Sequence, residues 1–321
     1  MKTNCTLIAT IPSLSNMIKV SRVFAEPNVS ELRFNTGSRS PFSPKETVIR
    51  LLRLAKQYGK NVWIDIKGRQ PRINVWADPM FECIELNHSI KVDLPARVIF
   101  RSGYSSEISY YNENKIFLKE PPREALGKGQ SINIIGENFS ITDDYLTPLD
   151  KEYLQALKDL CIANKYTKSD YSAQDVHIMA SFVESKEDLD TIRDFLGIKS
   201  IFDIDFCSKI ESQKGLSFLR TGYLPTYSFI MAARDDLYIE LGFDYLKMKD
   251  ALKEIVYNYC SPICAYRIFS SLEKQEKVNL SDFEDLEMMY QMGYRFFMLS
   301  DGICNYAFDK AIKAWEVFKN A

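Results

Sequence analysis

With 321 residues, 46% hydrophobic and 26% charged, the chain is long and apolar enough for one large α/β barrel or two ordinary domains. A formal net charge of −2 gives no basic bias towards nucleic acid or an acidic membrane surface. No apolar run approaches the ~20 residues of a membrane span, and MKTNCTLIATIPS meets Pro12 without a long apolar segment, so it does not read as a signal peptide. The seven cysteines, at 5, 83, 161, 207, 260, 264 and 304, make no CxxC pair and suit buried reduced thiols in a cytoplasmic protein. His88 and His177 are the only histidines, and neither neighbours another ligand type in a metal-site spacing, which argues against catalysis centred on a histidine.

In chain order, Cys5–Ile11 reads as a strand and Met17–Ala25 as a helix, followed by a second strand over Ser30–Asn35. Ser43 and Pro44 stand where an N-cap and first helical residue belong, and KETVIRLLRLAKQYG carries an apolar i, i+3, i+4 stripe that stops at Gly59. Asn61–Gly68 is the third strand. From about Gln70 to Tyr145 no long helix is legible; short alternating segments such as ARVIF, EISYY and SINIIG, divided by turn residues, read as a small antiparallel β-domain. The alternation then resumes with a helix over Leu149–Lys165, strands over Asp175–Val183 and from Lys199 to Ile210, and a helix over Lys186–Gly197. TYSFIMAA, SPICAYRIF (Ser261–Phe269) and Tyr294–Gly302 complete the strands, and Phe308–Asn320 the helices. Eight strand–helix units fit an α/β (β/α)8 TIM barrel over 1–69 and 146–321, with a β-rich lid domain inserted after the third strand over 70–145; an open doubly wound sheet is the alternative.

Charge gathers at the predicted C-terminal strand ends, where barrel sites lie. Lys209 and Glu211 share one face of an extended segment, because strand side chains alternate. Asp235 and Asp236, with Arg234 beside them, close the apolar run FIMAA. Two carboxylates and a lysine at neighbouring strand ends suit Mg2+ or Mn2+ and an anionic substrate. The plainer reading is that these charges cap two strands at the water boundary.

The order and spacing of these segments resembles the pyruvate kinase family over nearly the whole chain. The stretches that carry it are ELRFNTGS (Glu31–Ser38), IDIKGRQPR (Ile64–Arg72), SKIES (Ser208–Ser212), MAARDDLYIEL (Met231–Leu241) and FMLSDG (Phe297–Gly302). The resemblance implies a barrel with a lid that binds a phosphoenolpyruvate- or pyruvate-type anion through Mg2+. It implies that Arg33 contacts phosphate, that Lys209 stabilises the transferring group and the enolate, and that Glu211 and Asp236 hold the metal. Lys67, Arg72, Asp235 and Ser300 fall within its substrate-binding segments, and Asn35 and Asp65 on two ligands of its monovalent cation.

The departures narrow that reading. Gly37 and Ile66 replace two oxygen ligands of the monovalent cation, which argues against K+. The seventh strand ends in Ala265-Tyr266-Arg267 instead of Ala-Thr-Gln, Asp235 replaces a glycine, and Arg101-Ser102-Gly103 lacks the lid carboxylates that serve a nucleotide's metal. The enolate half of the chemistry is what survives, so the expected function is a divergent lyase, decarboxylase or transferase acting on a small anionic 2-oxo acid or enol phosphate. Arg33 and Arg267 would hold a distal anionic group, and Tyr266 is a candidate proton donor, although packing is the commoner role for such a tyrosine. True pyruvate kinase activity with ADP and a non-catalytic binding role are the alternatives; the barrel helices remain available for a homodimer.

Overall fold

Eight short strands, each followed by a chain reversal through helix, close on themselves into a barrel. The computed structural model describes residues 2, 4–38, 40–75, 83–122, 125–167, 176–197, 204–222, 229–259 and 261–321. Its two compact units are Met1–Ile66 with Lys151–Ala321, and Lys67–Asp150. Some sequence expectations fall outside the described residues: Asp175, 199–203 and 226–228 of the predicted strands, together with Trp76 and Cys260.

In the larger unit, β1 (Thr6–Thr10), β2 (Val29–Asn35) and β3 (Asn61–Ile66) are joined by β11 (Val176–Ala180), β12 (Phe206–Ile210), β13 (Phe229–Ala233), β14 (Ile263–Ala265) and β15 (Phe296–Met298); β4–β10 belong to the smaller unit. All eight pair in parallel in the closed order β1-β15-β14-β13-β12-β11-β3-β2. Parallel strands covered on both faces need apolar residues on both, which is why VHIMA and FCSKI are buried throughout. Ile8, Trp63, Met179, Cys207, Met231, Ile263 and Met298 fill the interior. Period-two alternation then carries the next inward residues, among them Asp65 and Lys209, to the C-terminal strand ends.

The surrounding helices are α1 (Met17–Ala25), α2 (Pro44–Tyr58), α3 (Pro148–Thr167), α4 (Lys186–Leu196), α5 (Gln213–Arg220), α6 (Arg234–Glu240), α7 (Tyr245–Asn258), α8 (Leu280–Met292), α9 (Asp301–Tyr306) and α10 (Phe308–Asn320). Local chemistry sets their ends. Ser43 and Glu46 form a capping box ahead of Pro44, Val48, Leu51, Leu52 and Ala55 form the buried stripe, and Gly59 terminates α2 at φ 63°. The stretch SPICAYRIF corrects the sequence reading: only Ile263–Ala265 is strand, because Tyr266, Arg267 and Phe269 take φ of 66°, 62° and 54°. Likewise Asp301 and Gly302 open α9 instead of ending a strand.

The smaller unit holds a five-stranded sheet in the order β4 (Cys83–Glu85), β8 (Lys115–Leu118), β7 (Ser105–Asn112), β6 (Arg97–Phe100) and β9 (Ile132–Ile135), antiparallel throughout. A two-stranded ladder pairs β5 (Ile90–Lys91) with β10 (Ser140–Ile141). Ile84, Val98, Ile108, Ile116 and Ile134 lie in its own core. The buried Asp150 carboxylate accepts the N–H groups of Lys67 at 2.8 Å, Gly68 at 3.1 Å and Thr147 at 3.1 Å, tying together the segments that enter and leave the unit.

Ser43→Ala removes one half of the α2 capping box, and we expect it to lower the unfolding free energy by about 1 kcal/mol in urea denaturation.

Candidate functional site

The polar cluster at the C-terminal ends of the barrel strands grows out of the interior alternation. Arg33 on β2 and Asp65 on β3 point inward from adjacent strands, as do Lys209 on β12 and Ser181 just after β11. Asp65 is fully buried, and its Oδ2 accepts Arg33 Nε at 2.8 Å and Arg33 Nη2. Its Oδ1 accepts Ser181 Oγ at 3.2 Å and lies 3.5 Å from Lys209 Nζ. Lys209 Nζ also donates to Ser181 Oγ at 2.8 Å and stands 3.0 Å from Glu211 Oε1. One carboxylate therefore links two buried cations. Burial works against the charged lysine, but Asp65 and Glu211 outweigh it and raise the Lys209 pKa well above the ordinary value.

Glu211 is held from the backbone side: Phe182 N–H, on a residue at φ 50°, donates to its Oε2 at 2.7 Å. Its Oε1 is buried and, though at ion-pair distance from Lys209, accepts no hydrogen bond. Burial pushes this carboxyl up to about 7, against the pull of Lys209 and with a further push from Asp236. Asp236 is buried in the first turn of α6. Behind it, burial and the charges of Glu184 and Asp236 raise Glu240 to about 8. Acid thus accumulates on the β12–β13 side of the barrel end, with a buried oxygen left unbonded.

Tyr266, partly buried, packs against the barrel interior. Burial raises its phenol, Lys209 and Arg33 oppose that, and Asp236 and Glu211 add to it, so the ring feels both cations and both acids. Its backbone lies in the left-handed region, a strained state for a bulky residue. Arg234 fixes it there. This buried guanidinium donates to both oxygens of Asp285 at 2.8 Å, to Ala265 O at 3.4 Å, and through Nε and Nη2 to Tyr266 O.

The remaining expected residues fall in different settings. Arg267 and Asp235 are exposed and pair with each other at 2.8 Å, with the Arg267 guanidinium 5.0 Å from the Tyr238 ring centroid. Ser300 caps α9, accepting Ile303 N–H at 3.3 Å, and donates to Glu273. Lys67 and Arg72 belong to the smaller unit, where Arg72 donates to Gly129 O and Gln70 Oε1. Thr10, Ser181 and Asp301 carry polar contacts of the cluster without having been singled out. Thr10 Oγ1 accepts Arg33 Nη1 at 3.2 Å and donates to Leu299 O at 2.8 Å. The only sequence signal for Thr10 and Ser181 is a small polar residue ending an apolar strand.

The donor set does not fit a monovalent cation: Asp65 is taken by Arg33 and Lys209, Asn35 Oδ1 accepts Gly37 N–H at 3.0 Å, and Ile66 is a buried hydrocarbon. No group of three or more His, Cys, Asp or Glu among the described residues is arranged around a metal. Glu211, whose Oε1 lies 3.0 Å from Lys209 Nζ, and the buried Asp236, whose charge reaches it, are carboxylates of the kind held by a divalent ion that takes most of its ligands from substrate and water. Comparison with protein-family models and with curated proteins found no match, so the functional argument rests on these side chains.

Two predictions follow from the charges. Lys209→Met leaves Glu211 without its cation in the interior and takes one of the two cations from Asp65, and should lower the unfolding free energy by about 3–5 kcal/mol in urea melts. Glu240 binds its proton more tightly folded than unfolded, so its contribution to stability is present at low pH and is lost as pH rises from about 4.5, the ordinary carboxylate value, through about 8. Glu240→Gln should therefore melt above the parent at pH 9, with the difference shrinking towards pH 5.

Proposed function

We propose that this protein is an enzyme that binds a small 2-oxo acid through a divalent cation and stabilises its enolate, as a lyase of the pyruvate-forming kind. The observation that carries the reading is Lys209: a buried ammonium held charged by Asp65 at 3.5 Å and by Glu211 at 3.0 Å, at the end of a barrel strand. We read the unit Lys67–Asp150 as a domain inserted after β3, in keeping with the resemblance to pyruvate kinases.

In this scheme Glu211 and Asp236 would hold the ion, which would supply Lewis-acid stabilisation of negative charge on the substrate's oxygens. Lys209 keeps its proton throughout and donates a hydrogen bond to the carbonyl oxygen as negative charge develops there. When the bond from the carbon beside the carbonyl to its hydroxyl-bearing neighbour breaks, that neighbour leaves as an aldehyde, its hydroxyl proton passing to water, and the bond's electron pair moves towards the keto oxygen, where the ammonium favours it. The Tyr266 hydroxyl returns a proton to the carbon, with Arg234 and Asp285 holding the ring's backbone in place. Phe182 N–H fixes Glu211 so that its second oxygen faces the ligand side. Asp65 acts through Lys209 and Ser181, keeping the ammonium oriented.

Oxalate is a planar mimic of a pyruvate enolate. Oxalate with Mg2+ should raise the melting temperature by several degrees more than either alone. Glu211→Gln, itself folded by circular dichroism, should abolish that synergy; equal shifts in the parent and the variant would remove Glu211 from the site.

A further inference from the structure

The outer face of Arg33 is already occupied. All three guanidinium nitrogens donate within the protein: Nε and Nη2 to Asp65, and Nη1 to Thr10 Oγ1 at 3.2 Å and to Asp301 Oδ2 at 2.9 Å. Of the two acids, Asp65 is sealed in the interior, whereas the Asp301 side chain keeps 36% of its exposure. Asp301 is also held in place. Asn35 Nδ2 donates to its Oδ1 at 3.2 Å and its Oδ2 at 3.3 Å, and Ser38 Oγ reaches Oδ1 at 3.5 Å. A carboxylate on a guanidinium is the arrangement that a ligand phosphate or carboxylate would itself adopt.

We infer that Asp301 is a resident anion that keeps the tail of the ligand uncharged. An incoming phosphoryl or distal carboxylate group would have to displace Asp301 or approach a guanidinium whose nitrogens already face two carboxylates, one of them shared with Lys209. Repulsion between like charges in a partly buried site makes either route costly. Asp301 thereby acts as a specificity determinant. The 2-oxo acid head meets Lys209, Glu211 and Asp236, while the side facing Arg33 admits a neutral, hydrogen-bonding tail such as that of a 4-hydroxy-2-oxo acid. Enol phosphates and 2-oxo dicarboxylates are disfavoured. The assignment of a substrate class rests on the enolate reading above; the closure of Arg33 to anions does not.

The test uses inorganic phosphate as the anion probe, without metal and at fixed ionic strength, on the intact chain and on Asp301→Asn and Asp301→Gly. Asp301→Asn preserves the shape and one acceptor oxygen, so it keeps the local fold while removing the charge. Phosphate should bind both variants at least tenfold more tightly than the parent, and it should shift the Arg33 Nε–H resonance in the variants and not in the parent. Equal phosphate affinity in all three folded proteins, or a gain that leaves the Arg33 resonance unmoved, overturns the inference. A parallel titration with oxalate and Mg2+ separates the two claims. An oxalate response without any phosphate gain leaves the enolate reading standing and sinks the role of Asp301. A phosphate gain without an oxalate response does the reverse.

Discussion

A single fully buried carboxylate, Asp65, receives two guanidinium nitrogens on one oxygen, and has a serine hydroxyl and an ammonium beside the other. Taking three ionised groups out of water is costly, and the cost is offset only where every charge finds an opposite partner in good geometry. β2, β3, β11 and β12 are neighbours in the barrel, so Arg33, Asp65 and Lys209 on their strands meet Ser181 just past the end of β11. Removing Asp65 would leave two cations facing each other in the interior. Lys209 is oriented by Ser181 at 2.8 Å and Glu211 at 3.0 Å, and Asp65 ties that lysine to Arg33 across the strand ends.

Arg33 and Lys209 pair with Asp65, Asp301 and Glu211, while Arg234 and Arg267 pair with Asp285 and Asp235. Acid gathers towards α6, where burial and neighbouring carboxylates raise Glu211 to about 7 and Glu240 to about 8 against the pull of Lys209 and Lys214. Such a region is relieved either by taking up protons or by taking up a cation. The raised Glu211 carboxyl and the left-handed backbone at Phe182, Tyr266 and Arg267 mark the same end of the barrel as one where local stability has been given up.

Much of the barrel was legible in the chain because its signals are local. Ser43, Pro44 and Gly59 bound α2 where capping chemistry says they should, and Phe308–Asn320 is helical over the stretch its periodicity marks. The seventh strand was read too long, because nothing in AYRIF announces positive φ at three residues with bulky side chains; the clamp from Arg234 and Asp285 imposes it through tertiary contact. Helix α6, seven residues opening on two acids, was missed in favour of a charged strand end. In the polar cluster, Lys209, Glu211 and Asp236 stand out in the sequence because charge interrupts an apolar run. Ser181 and Thr10, which contact Lys209 and Arg33, do not, since they look like ordinary strand termini. The pairing of Asp65 with Arg33 spans 32 residues and appears only once β2 and β3 are side by side.

The most direct measurement is a crystal structure grown with Mn2+ and oxalate, with data collected at the manganese absorption edge. The account predicts one anomalous peak between the carboxylates of Glu211 and Asp236, with oxalate on the ion and Lys209 Nζ within hydrogen-bond distance of an oxalate oxygen. A peak bound elsewhere, or Glu211 and Asp236 turned away from any shared ion, would contradict it and leave the barrel alone established.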